Sequence, residues 1–154
     1  MMTQSVNQGS STKRHLSIGI IGLGGVAQAH LQAFELLTDF TLVSVCDVRA
    51  DVAETVARQF SAKAYTDYGE LLDAGGVDLV MVLTPASTHR LIVTAVATRG
   101  FHVFCEKPLA VTLEDGVAIV EACKHANIKL FYGSCYRYLP AIVKAKHLIQ
   151  SGAI

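Results

Sequence analysis

Strand-like and helix-like stretches alternate along almost the whole chain, and that alternation leaves few folds open. Near-continuous apolar runs such as Leu79-Val80-Met81-Val82-Leu83 have the composition of parallel strands covered on both faces. Such runs fall at residues 16–21, 41–46, 62–65, 79–83, 102–105 and 129–132. Between them, helical patterns occupy residues 25–37, 50–60, 68–73, 87–98 and 113–125. The alternation predicts an α/β protein with a doubly wound parallel sheet and helices on both faces, joined by right-handed crossovers. Cap residues sharpen the boundaries. Ser87 is placed to cap the fourth helix, Thr112 precedes the acidic first turn of the fifth, and Gly100 suits a helix stop. A sixth helical pattern covers residues 141–150.

Composition removes several classes of function. The chain has 154 residues, 51% hydrophobic and only 17% charged, which suits one globular core and not a disordered chain. Thirteen basic residues balance thirteen acidic ones without a Lys/Arg cluster, which argues against a nucleic-acid partner. No apolar run reaches bilayer length, so no membrane partner is expected either. Residues 1–14 read as a disordered polar tail lacking the apolar centre of a secretory signal. The four cysteines, Cys46, Cys105, Cys123 and Cys135, form no Cys-x-x-Cys pair. They read as reduced, mostly structural thiols of a cytoplasmic protein, and no ligand spacing suggests a metal.

The turn after the first strand gives the fold a use. Gly22-Leu23-Gly24-Gly25-Val26-Ala27 follows an apolar run and opens a helix, the order that a dinucleotide-binding Rossmann-type fold requires. Gly22 permits the tight turn, Gly24 lets backbone approach a pyrophosphate, and Ala27 is small enough for close helix–strand packing. The helix start, with Gly25 and Val26, offers free N–H groups to the phosphates. Asp47 closes the second strand, 20 residues after Ala27, where a carboxylate can accept from both ribose hydroxyls. A solvated loop aspartate is the plainer alternative. Asp47 favours NAD because it repels a 2′-phosphate. Arg49, two residues on, can pair with that phosphate if Asp47 turns away, so NADP stays as the second cofactor.

Later strand ends carry further candidates, since ligands of open α/β sheets sit at the carboxyl edge. Thr84-Pro85 with His89 follows the fourth strand; a helix-capping turn with an ordinary histidine reads equally well there. Glu106-Lys107-Pro108 follows the fifth strand. A lysine partly withdrawn from water is suited to proton transfer, and Pro108 can fix the loop through a cis bond, although a surface Glu-Lys pair before a turn looks the same. Arg137, between Tyr136 and Tyr138 after the sixth strand, can hold a polyhydroxy or anionic substrate or serve as a packed linker.

Four segments together resemble the Gfo/Idh/MocA oxidoreductases, named for glucose–fructose oxidoreductase and inositol dehydrogenase. They are Gly22-Leu23-Gly24-Gly25-Val26-Ala27, Thr84-Pro85 with His89, Glu106-Lys107-Pro108-Leu109-Ala110, and Tyr136-Arg137-Tyr138-Leu139-Pro140. The resemblance implies an NAD(P)-dependent dehydrogenase moving a hydride between a sugar, cyclitol or related polyol and nicotinamide. It gives Lys107 the catalytic role. Gly22, Gly24 and Ala27 inherit the pyrophosphate turn, with Gly25 and Val26 counted beside them. Asp47 inherits the ribose contact, with Arg49 kept as a cofactor-site candidate from its position. Thr84, Pro85, His89, Glu106, Lys107 and Arg137 inherit positions beside the cofactor. Residues 15–135 are expected to form the Rossmann domain, and 136–154 a linker and helix leading to the family's second α+β domain, which is absent here. That domain supplies a histidine beside the lysine, and a homo-oligomer is expected only with it. A non-catalytic dinucleotide-binding or redox-sensing module is the alternative function, and an S-adenosylmethionine-binding fold a third.

Overall fold

The computed structural model describes residues 15–154; the polar tail expected over residues 1–14 lies outside the described residues. Six strands form one parallel sheet in the order β3-β2-β1-β4-β5-β6. They are β1 (Leu16–Ile21), β2 (Phe40–Cys46), β3 (Lys63–Tyr65), β4 (Leu79–Val82), β5 (His102–Glu106) and β6 (Leu130–Gly133). The intervening helices are α1 (Gly25–Phe34), α2 (Ala50–Phe60), α3 (Tyr68–Ala74), α4 (Ala86–Thr98) and α5 (Leu113–His125). A short 3-10 helix at Cys135–Tyr138 and α6 (Pro140–Gln150) follow the last strand.

Alternation along the central strands divides the interior into two cores. Ile18 and Ile20 of β1, with Met81 of β4, pack against Leu31 of α1 and Val56 of α2. Ile21 of β1, with Val80 and Val82 of β4, packs against Leu71 of α3, Val93 and Val96 of α4 and Ile119 of α5. Adjacent residues of one strand thus serve opposite faces, which is why these runs carry almost no polar residue. Each buried aliphatic side chain contributes roughly 1.5–3 kcal/mol relative to exposure, so the two cores outweigh any single surface contact. Gly19 belongs to the second face. A Cβ there would stand 3.0 Å from Ser44 Oγ and 3.4 Å from Leu71, so its bareness admits α3.

Most helix boundaries agree with sequence expectation, and two differ for clear reasons. Thr112 caps α5 by accepting from the Asp115 N–H at 3.1 Å. Ser87 does not cap α4. Pro85, at φ −59 and ψ 143, passes the chain directly into the helix at Ala86, so Ser87 falls inside the first turn. The Thr88 hydroxyl instead lies 2.8 Å from both Thr84 Oγ1 and the Pro85 carbonyl. Helix α1 stops at Phe34, short of the expected residue 37. Leu36 and Leu37 point outward, because the chain must turn there to enter β2.

Candidate functional site

All six strands are parallel, so every strand-to-helix loop opens on one edge of the sheet. The strand order reverses between β1 and β4, and the loops diverge there into a crevice. Gly22 lines it with φ +94, and a Cβ on Gly22 would meet the Leu83 and Thr84 backbones at 2.9 Å. Glycine is therefore required twice, by its conformation and by the closeness of two loops. The Gly22 N–H donates to the Cys46 carbonyl at 2.8 Å, tying the turn to the end of β2.

The start of α1 is open to an anion. Gly24 sits at the N-cap with no side-chain hydrogen bond, and no acidic residue occupies the first turn. A Cβ on Gly24 or Gly25 would find no atom within 4 Å. Uncapped N–H groups facing clear space at a positive helix end fit a diphosphate, so these residues fit a dinucleotide. Ala27 is fully buried beneath the turn, and Val26 stands half-exposed beside it.

Asp47 is no solvated loop residue: it is 8% exposed. Its Oδ2 accepts from the Leu23 N–H at 2.9 Å, and its Oδ1 from the Arg49 N–H at 3.0 Å. The Arg49 guanidinium adds Nε to Oδ1 at 3.0 Å and Nη2 to Oδ2 at 3.3 Å. Burial pushes the Asp47 carboxyl upward. The hydrogen bonds from Arg49 and Leu23, with the guanidinium charge, outweigh it and hold the group below the usual carboxylate range. The carboxylate therefore fastens the glycine turn to the end of β2, and it faces Arg49 rather than turning away from it.

A cleft of about 490 Å³ collects Gly22, Gly24, Asp47, Arg49, Thr84 and Pro85. Its remaining walls were not singled out from the sequence. Thr66 and Asp67 come from the β3–α3 connection, Tyr68 from the first position of α3, and Leu91 and Ile92 from α4. The strand-end rule that found Asp47 would also have found Thr66 and Asp67; the α4 pair carries no local signal.

His89 does not face this cleft. It is fully buried (0% exposed) behind the Thr84 loop. Its Nε2–H donates to the Thr84 carbonyl at 2.8 Å, while Nδ1 lies 3.1 Å from the Leu109 carbonyl and 3.3 Å from Cys105 Sγ. Burial, and then the Glu106 charge, push the Cys105 thiol up to about 12, so it stays protonated. The imidazole thus clips the Thr84 loop to the end of β5. With Nε2–H given to the Thr84 carbonyl, Nδ1 is the acceptor and takes the protonated Cys105 thiol, so one ring uses its donor and its acceptor on two elements, which a purely apolar side chain cannot do.

The second group of candidates stands at the end of β5. Glu106 is nearly buried; one carboxylate oxygen accepts from the Lys107 N–H, and Oε1 lies 3.5 Å from His30 Nε2. His30, on α1, also sets its ring edge-on to Phe104 at 5.3 Å, and sequence reasoning passed over it. The Lys107–Pro108 bond is cis. The Lys107 side chain is exposed and engages no partner among the described residues. Arg137 lies exposed in the 3-10 helix beyond β6. Phe131 of β6 stacks between Phe104 and Tyr138, at 5.4 and 6.2 Å, and attaches that helix to the sheet.

The family model described as "Oxidoreductase family, NAD-binding Rossmann fold" matches residues 16–134. The chain belongs to the Gfo/Idh/MocA family. A myo-inositol 2-dehydrogenase of Thermotoga maritima is 35% identical over 90% of this chain, and a D-apiose dehydrogenase of Paraburkholderia graminis 30% identical over 99%. Among solved structures, the WlbA dehydrogenase of Bordetella pertussis, in complex with NADH and UDP-GlcNAcA, superposes with a TM-score of 0.87 at 28% identity. That match covers 90% of this chain and 40% of the other. The chain likewise spans 42% and 41% of the two curated relatives. Within the Gfo/Idh/MocA framework, the glycine turn, Asp47 and the Thr84 loop lie together at the carboxyl edge of a Rossmann sheet.

Proposed function

We propose that this chain is the dinucleotide-binding part of an NAD-dependent dehydrogenase acting on a sugar, cyclitol or related polyol, with NADP as the second cofactor. The observation that carries the reading is the uncapped, acid-free start of α1, braced by Asp47 and set against the Thr84 loop. Its N–H groups receive the diphosphate. Asp47 accepts from the adenosine ribose, and Thr84 and Pro85 form the facing wall. The activities of the relatives, on inositol and apiose, support the substrate class.

When bound, the nicotinamide supplies a hydride acceptor beside the substrate. Lys107, exposed at the end of β5, holds the reacting hydroxyl and takes or returns its proton at Nζ. Glu106, fixed by its bond to the Lys107 N–H and its approach to His30, steadies the segment that carries this lysine. The Arg137 side chain steers a polar substrate towards the same edge. Placement and electrostatics supply most of the acceleration.

Residues 15–135 form the cofactor domain in this proposal, and residues 136–154 lead towards a second domain that completes the substrate site and the oligomer interface. The relatives' greater length supports that division. A cytoplasmic location is supported by four cysteines that are all free, three of them buried.

Fluorescence titration of the 154-residue chain with NADH is expected to saturate, and Gly24→Asp to abolish it. At φ −71 this position takes an ordinary side chain, and aspartate is a good N-cap. The variant should therefore fold normally while its charge fills the anion site. A folded Gly24→Asp chain that binds NADH unchanged would sink the reading.

A further inference from the structure

The Asp47 carboxylate has no acceptor position left for a ribose. A carboxylate offers about four lone-pair sites. Two are taken by backbone N–H groups of Leu23 and Arg49, and two by Nε and Nη2 of the Arg49 side chain. The backbone donors are fixed by the glycine turn and by the entry to α2. The guanidinium is held differently: the side chain is 56% exposed and lines the mouth of the cleft. A guanidinium fork and a vicinal diol both present two donors to the two oxygens of one carboxylate. They compete for the same pair of positions.

We propose that Arg49 is a built-in occupant of the ribose site that sets the balance between NAD and NADP. Before binding, its guanidinium fills the diol positions on Asp47. When NAD enters, its diol displaces the guanidinium and the side chain swings outward on its own single bonds; NADP, whose 2′ oxygen carries the phosphate, draws the guanidinium off Asp47 by charge. The released cation then stands beside the ribose 2′ position. With NAD it has no new partner, so displacement is a net loss. With NADP it gains the 2′-phosphate and offsets the repulsion from Asp47. The inference rests on the cofactor reading above and deepens it.

The signature is a pair of opposite changes. In Arg49→Ala, NADH should bind about 3- to 10-fold more tightly, because an exposed ion pair no longer has to be broken. NADPH should bind on the order of 10-fold more weakly, because its phosphate loses a charge-assisted partner. Arg49→Lys, which keeps the charge and loses the fork, should hold most of the NADPH affinity. The experiment is fluorescence titration of NADH and NADPH into the unaltered chain and both variants, with circular dichroism to verify folding. Arg49→Gln replaces Arg49→Ala if the latter does not fold. Affinities that move in the same direction, or do not move, in a folded variant overturn the proposal while the cofactor reading stands. An unaltered chain that binds neither dinucleotide overturns both.

Discussion

At the scale of single residues, Asp47 concentrates several duties in one carboxylate. It pins the glycine turn through Leu23, orders the entry to α2 through Arg49, and faces the cleft. Its carboxyl is held below the ordinary range, so the sign of its pH dependence is fixed. The stabilisation is fully present above the unfolded-state value, about 4, and is lost as pH falls through the lower folded-state value. Asp47→Asn should cost about 1 kcal/mol at pH 7, with the difference from the parent chain narrowing below about pH 4. Urea midpoints across pH 3–7 would measure it, and a gap that widened in acid would contradict the assignment. The sequence spacing shows Asp47 as a strand-end acid. It does not show that Arg49 would close on it, because that depends on the turn bringing a guanidinium back over a carboxylate two residues earlier.

At the scale of elements, helices and strands were largely legible because parallel strands buried on two faces leave long apolar runs. Boundaries failed where local chemistry overrode the pattern: Pro85 started α4 a turn position earlier than a Ser87 cap allows. Contacts between elements were least legible. His30 meets Glu106 across α1 and β5, and His89 meets the Leu109 carbonyl 20 residues away. Backbone carbonyls have no signature in a sequence, so a histidine gives no sign of being a clip. His89→Leu should leave the Thr84 carbonyl without its donor and the Cys105 thiol without its acceptor, and cost about 1–3 kcal/mol. It should also raise hydrogen exchange at the end of β5. Unchanged stability together with unchanged exchange would show that α4 and β5 are joined by packing alone.

At the scale of the whole molecule, the buried thiols report on one of the two cores, the one that holds Cys46, Cys105 and Cys123. Cys46, Cys105 and Cys123 are buried, and Cys135 is exposed. Burial, with lesser help from nearby carboxylates, pushes Cys46 up to about 11, while Cys105 is pushed up to about 12. Ellman's reagent at pH 8 should titrate one thiol quickly and the other three only on unfolding. Two fast thiols would mean that one side of the sheet opens far more readily than its packing implies. The sheet order also governs when the cleft comes into being. Strand β1 lies between β2 and β4, and the Ser17 N–H meets the Asp78 carboxylate 61 residues further along. On a ribosome, Gly22 and Asp47 emerge well before Thr84, and joining β1 to β4 closes a long loop at an entropic cost that rises with its length. Until β4 docks, the glycine turn has no opposite wall. Translation is thus the clock for ligand uptake: a nascent chain acquires its nucleotide crevice only once both sides of the switch point have been made.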